Sequence, residues 1–144
     1  MPSFNSVLCS TLLASGLMPA VPSAAADPSP DAIIKAYFAG WEQKDWDAVA
    51  GRLANGFTFT SPAPDDHLPV DKFKAKCWNQ AEFIERFEFP RIAGDSNSAF
   101  AIVHVITKDG RIIRNTEYFT FEGGKIKSIE VFFGGNGKGY PSNK

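Results

Sequence analysis

Glu117 stands in the stretch from Ile113 to Phe121, whose residues divide between two faces if the segment is a strand. One face carries Ile113, Asn115, Glu117, Phe119 and Phe121, the other Arg114, Thr116, Tyr118 and Thr120. An acid among such apolar neighbours is pushed toward its neutral form, and a carboxyl that titrates near neutrality can give and take protons. His104 becomes its acid/base partner under one hairpin register. A two-residue turn at Asp109-Gly110 sets Ile102 opposite Glu117 and His104 opposite Asn115, diagonal to the acid. A three-residue turn with a glycine bulge would move His104 to the other face and dissolve the pairing, and a satisfied core histidine is the plainer alternative. Asp65-Asp66-His67 has the residue types of a metal site, but Pro64 and Pro69 bracket it, so it is expected as a solvated loop at a pocket mouth, and no metal is assigned. Cys77, on an apolar helical face without an evident base, reads as a small buried hydrophobe. Lys72, Lys74 and Lys76 spread around a helix and form no patch.

The elements that position these groups are three helices and a sheet. Ser29, Pro30 and Asp31 start a first helix, and Ile33, Ile34, Tyr37, Phe38 and Trp41 form its apolar stripe as far as about Gln43. A second helix begins at Asp45, buries Trp46, Val49, Ala50 and Leu53, and is expected to stop at Asn55-Gly56 with Gly56 as its left-handed cap. Phe57 to Ser61 is a short strand. A third helix spans about Val70 to Ala81, with Phe73 and Cys77 one turn apart. From Phe83 the period changes to two: Phe83, Phe87 and Phe89 begin it, and Phe100 to Thr107, Arg111 to Phe121 and Ile126 to Phe133 follow as an antiparallel meander. In the last strand Glu130 should point outward, which calls for a three-residue loop with a bulge at Gly123-Gly124. The expected class is α+β, with helices covering one concave face of a curved antiparallel sheet.

The chain has 144 residues, and its 15 basic and 16 acidic side chains offer no basic stripe for a nucleic acid. Nucleic acid is therefore not an expected partner. Residues 1–26 contain no Asp, Glu, Lys or Arg, and their apolar centre is followed by Pro19, Pro22 and the small run Ser23 to Ala26. This order reads as a signal peptide, with secreted or periplasmic localisation. The interrupting Ser, Thr, Gly and Pro residues argue against a stable membrane anchor. The expected organisation is a signal peptide over 1–26, one domain over 27–134 and a flexible tail over 135–144. Removing the leader leaves Cys77 as the single cysteine, so no intramolecular disulfide can form.

The order of these elements, Asp45-Trp46 opening the second helix, the Phe57-Thr-Phe-Thr-Ser-Pro62 strand, and the closing Glu117-Tyr-Phe-Thr-Phe-Glu-Gly-Gly-Lys-Ile126 with Phe132-Phe-Gly134 resemble the nuclear transport factor 2-like superfamily, in its SnoaL-like and ketosteroid-isomerase-like branch. The resemblance covers nearly all of residues 31–134. It implies a cone-shaped α+β barrel, an apolar pocket inside the cone and a homodimer through the outer sheet face; no cofactor is expected. The pocket would draw on Trp41, Phe57, Phe59, Ser61, Ile102, Asn115, Phe119, Val131 and Phe133. The oxyanion-hole tyrosine and protonated acid of the steroid isomerases fall on Tyr37 and Glu117. Their general-base aspartate, just before a proline, falls on Ser61 before Pro62, and a serine cannot take a proton from carbon without a base of its own.

Two functions of different class stay open. The first is a proton-transfer enzyme, an isomerase, cyclase or dehydratase acting on a small apolar molecule, with Glu117 and His104 as acid/base and Tyr37 as donor. The second is a non-catalytic ligand-binding or dimerisation module of the same fold.

Overall fold

The computed structural model describes residues 28–62 and 65–133; the leader and the tail read from the sequence lie outside the described residues. Ser29 caps α1 (Pro30–Gln43), its Oγ accepting from the Ala32 N–H at 3.3 Å. Lys44 turns left-handed at the other end, and Asp45 caps α2 (Trp46–Ala50) through the Ala48 N–H at 3.0 Å. The second helix is shorter than its apolar spacing suggests. It ends at Ala50 because Leu53 pairs with Ile126 and enters β1 (Leu53–Thr60). Gly56 has φ +71°, left-handed as expected, but it serves a bulge between Leu53 and Thr58, not a helix cap. After β1 come α3 (Val70–Cys77) and a 3-10 turn (Trp78–Glu82), where one helix to Ala81 was expected.

Four long strands complete the chain: β2 (Ile84–Gly94), β3 (Ser98–Thr107), β4 (Ile112–Glu122) and β5 (Lys125–Phe133). The sheet order is β1-β5-β4-β3-β2. The meander from β2 to β5 is antiparallel as read, whereas β1 runs parallel to β5, so the sheet is mixed. The fold is α+β, with α1 lying against the sheet and its stripe of Ile33, Ile34, Tyr37, Phe38 and Trp41 buried. Edge strand β2 carries two register shifts, one across Pro90, where a missing N–H is tolerated. At its first bend the Phe87 N–H donates to Glu42 Oε1 of α1 at 2.6 Å, tying the edge to the helix. Phe83 precedes the strand and is exposed, while Ile84 takes the buried place expected for it.

The two hairpins differ from the simplest readings in opposite ways. Between β3 and β4 the loop is Lys108-Asp109-Gly110: Thr107 pairs with Arg111, Gly110 has φ +82°, and Thr107 Oγ1 donates to Asp109 Oδ1 at 2.5 Å. This is the three-residue alternative, which sets Ala101 opposite Glu117 and His104 opposite Arg114. Between β4 and β5 Gly123 and Gly124 form a two-residue turn with both φ values positive, and the bulge sits further in, between Thr120 and Phe121. The parity beyond it is unchanged, so Glu130 is exposed while Ile129 and Val131 are buried.

Candidate active-site cavity

A cavity of about 460 Å³ lies between α1, α3 and the inner sheet face, a volume suited to a small molecule. Helix α1 contributes Tyr37, Phe38 and Trp41, the end of β1 Phe59 and Ser61, and the inner strands Asn115 and Val131. Lys76, Phe83, Arg111 and Ile113 line it and are exposed, so they mark its mouth.

Of the residues expected in the pocket, Trp41, Phe59, Ser61, Asn115 and Val131 line it together with Tyr37. Four others do not. Phe57 packs on Phe73, 5.5 Å between ring centroids, and Phe119 is fully buried in the core edge-on to Tyr37 at 6.5 Å. Ile102 is on the outer face, 42% exposed, because the three-residue turn reverses its parity. The side chain of Phe133 lies outside the described residues. His104 follows Ile102: it stands on the outer face between Glu88 of β2 and Arg114 of β4, away from Glu117. His104 and Glu117 therefore face opposite sides of the sheet and form no acid/base pair.

Glu117 is buried, 7% exposed, between Ala101 and Val131, and forms no part of the lining itself. Burial pushes its carboxyl up to about 7, partly offset by the neighbouring Asn115 amide, which favours the charged form without a hydrogen bond of good geometry. Burial also raises the Tyr37 phenol well above its ordinary value, and the nearby Glu117 charge adds to the effect. The Trp41 indole acts on Tyr37 in the opposite sense, yet its N–H meets no acceptor with hydrogen-bond geometry. Asn115 Oδ1 is buried and unpartnered as well. Tyr37, Trp41 and Asn115 thus share one wall of the cavity, with the Glu117 carboxyl, about half neutral near pH 7, close to the Tyr37 phenol behind it.

The mouth holds a group that the proline spacing concealed. Asp65, expected in a solvated loop, is only 7% exposed and lines the cavity. The chain after β1 folds back on itself: Phe59 and Leu68 exchange backbone hydrogen bonds, the Ser61 N–H donates to the Asp65 carbonyl at 3.0 Å, and the Ser61 hydroxyl donates to Asp65 Oδ2 at 3.0 Å. Lys76 Nζ pairs with Asp65 Oδ1. That hydrogen bond, with help from Ser61 and the lysine charge, holds the carboxyl below the usual carboxylate range. It is covered by its immediate neighbours at the rim, not by depth, so burial opposes the shift only partly. Asp66 and His67 are exposed and pair with each other, as the loop reading expected. Among the described residues no group of three or more His, Cys, Asp and Glu side chains is placed to hold a metal.

Cys77 lines the cavity beside this cluster, and its thiol is pushed up to about 11, first by burial and then by the Asp65 charge, so it stays protonated. A signal for the α3 wall existed in the sequence: Phe73, Lys76, Cys77 and Gln80 recur at i, i+3, i+4 and i+7, one helical stripe, and all four line the cavity.

A helical cap on a strongly curved, mostly antiparallel sheet with an apolar cavity between them defines the nuclear transport factor 2-like class of folds. The SnoaL-like domain model matches residues 34–129, and the chain belongs to that family. No curated protein matches the sequence. Solved structures share the fold at low identity. A proposed ketosteroid isomerase from Kribbella flavida is 16% identical, with 76% of this chain and 81% of that one covered and a TM-score of 0.59. AclR, a proposed hydroxylase from Streptomyces galilaeus, is 12% identical over 72% and 87%, with a TM-score of 0.60. A de novo designed protein with a curved β-sheet is 15% identical over 74% and 85%, with a TM-score of 0.62. At these identities the likeness shows the fold alone, and a designed protein among the matches underlines that the fold carries no activity by itself.

Proposed function

We propose that the protein takes a small, largely apolar molecule into the cavity and moves a proton on it, as an isomerase, cyclase or dehydratase does. The observation that carries this reading is an apolar cavity whose wall holds Asp65, kept ionised by Lys76 and Ser61, and Tyr37, with the Glu117 carboxyl, raised to about 7 by burial, near the phenol behind the wall. Environments that split two acids in this way assign an acid role to one and a base role to the other. Tyr37 donates to a carbonyl or hydroxyl at the deep end, with Glu117 behind it as a positioning residue and proton reservoir. Asp65 supplies the base that Ser61 lacks, and the Ser61 hydroxyl aims its carboxylate.

The test is α-proton exchange of 1-tetralone in D₂O followed by NMR. Exchange above the buffer rate is expected with the wild type, and a fall of about 10² or more with Asp65→Asn or Tyr37→Phe. A second reading, binding without catalysis, is favoured by one feature: both Asp65 oxygens already have partners, which leaves a weak base. Saturable binding of 1-tetralone with no exchange would decide for it.

The outer sheet face supports a further part of the reading, a second copy of this chain as partner. Phe100 and Tyr118 lie 4.6 Å apart between ring centroids, and Ile102 and Phe132 continue the exposed apolar patch on either side of Thr116. A contiguous patch of this kind suits a self-complementary contact. Sedimentation of the wild type is expected to give a dimer that Ile102→Lys dissociates. A wild-type monomer at micromolar concentration would exclude the pairing.

A further inference from the structure

We propose, resting on the proton-transfer reading of the same cavity, that its ligand is an apolar carbonyl or hydroxy compound with a carboxylate at its outer end, and that the Arg111 guanidinium at the mouth binds that carboxylate.

The hairpin places Arg111 there. It precedes β4 with the parity of Ile113 and Asn115, and its carbonyl accepts from the Thr107 N–H across the turn, so its side chain leaves the backbone on the concave face. Arg111, Thr107, Ile113 and Asn115 all line the cavity. The three-residue turn also orients the guanidinium. Thr107 Oγ1 accepts from the Arg111 backbone N–H at 3.1 Å and donates to Asp109 Oδ1, while Asp109 Oδ2 accepts from Arg111 Nε at 2.8 Å. Thr107 is buried, 4% exposed, so the carboxylate that steers Arg111 is itself held to a fixed point of the sheet. Asp109 takes the Nε edge, and neither Nη atom has a partner among the described residues. The pair of Nη groups is the part of the fork left to meet a carboxylate.

The other charges nearby are matched or face elsewhere. Lys76 pairs with Asp65, to which Ser61 also donates, so that cluster presents an arriving anion with a carboxylate as well as an ammonium. Lys108 belongs to the turn but does not line the cavity. Apolar surface frames Arg111: Phe83 and Ile113 are both exposed at the mouth, and the Lys108 N–H donates to the Phe83 carbonyl at 3.0 Å, which holds Phe83 against the turn. A wholly apolar ligand would leave the guanidinium without a partner, and a ligand with an outer ammonium would bring a like charge to it. An apolar body ending in a carboxylate covers Phe83 and Ile113 and meets the Nη pair in a charge-assisted contact. It also fixes which end of the ligand enters first, leaving the carbonyl or hydroxyl for Tyr37.

Isothermal titration at neutral pH of three naphthyl probes of similar size tests the proposal: 1-naphthylacetate, its uncharged amide 1-naphthylacetamide, and the 2-(1-naphthyl)ethylammonium cation. The acetate is expected to bind about tenfold tighter than the amide, with the cation weakest. Raising salt from about 50 mM to about 500 mM should remove most of that preference, since the contact lies at the solvent-facing mouth. Arg111→Gln should erase the preference, and Lys108→Gln, one turn position outside the lining, should keep it. Equal loss in both variants would assign the preference to net charge around the turn and overturn the Arg111 contact. The wild-type series decides even if a variant fails to fold: equal binding of acetate and amide would overturn this inference while leaving the apolar pocket in place, and binding of none of the three would remove the pocket reading along with it.

Discussion

Glu117 and Asp65 are both carboxyls with almost no exposed surface, and the protein treats them oppositely. Glu117 sits between Ala101 and Val131 with only the Asn115 amide near enough to favour its charge, and its proton is retained to about pH 7. Asp65 sits at the rim with an ammonium and a hydroxyl directed at it, and its proton is lost early. Low solvent access by itself therefore predicts nothing about ionisation. The number and charge of the partners decide, and depth decides how much they must offset.

The largest expected effect that would break this contrast is on stability. Because the native state holds the Glu117 proton more tightly than the unfolded chain, stability should fall as pH rises from about 4.5 to about 7 and then level off for this group, a change on the order of 3 kcal/mol. Glu117→Gln should remove that slope, so urea midpoints of the variant stay flat across the window and exceed the wild type on its alkaline side. A wild-type slope that survives the substitution would assign it to another group. Next in size is the loss of proton exchange in Asp65→Asn and Tyr37→Phe, about 10²-fold in rate; Glu117→Gln should lower exchange less than either, since Glu117 acts from behind the lining.

At the mouth the sign reverses and the size shrinks. Lys76→Met should let the Asp65 carboxyl rise, and the stability tied to its lowered value, present at neutral pH and lost as pH falls through the acid range, should diminish. The lysine is about half exposed, at 48%, so solvent screening limits the effect to under about 1 kcal/mol, visible as a small drop in Tm at pH 7 that vanishes in acid. Smallest of all, Asp66→Ala should leave Tm unchanged, since Asp66 and His67 pair in full solvent one residue beyond Asp65. The neighbouring positions 65 and 66 thus provide the sharpest control for the claim that partners, not loop composition, set the behaviour.

Much of this arrangement was legible in the chain itself. Ser29 and Asp45 cap their helices because a short polar side chain next to a free backbone N–H needs only local geometry. The α1 stripe and the inward parity of Glu117 and Phe119 follow from periods of 3.6 and 2, which a dozen residues encode without help. The ends of such elements are another matter. Leu53 fits the apolar spacing of α2, yet its backbone is claimed by Ile126, more than seventy residues away.

What only the tertiary structure decided is register and the fate of the loops. Both turns compatible with Asp109-Gly110 are good turns locally, and the choice between them, made with Thr107 and Arg111 bonded across a three-residue loop, moves His104 and Ile102 to the outer face together. Asp65 is similar: Pro62 and the polar run after it read as solvated until Phe59 and Leu68 pair and Lys76 of α3 approaches. The unpartnered Trp41 N–H and Asn115 oxygen belong to the same category. Sequence patterns determine which face a side chain takes within its own element, because that is set by backbone geometry over a few residues. Whether a polar atom on that face finds a partner depends on atoms that only the folded chain brings near.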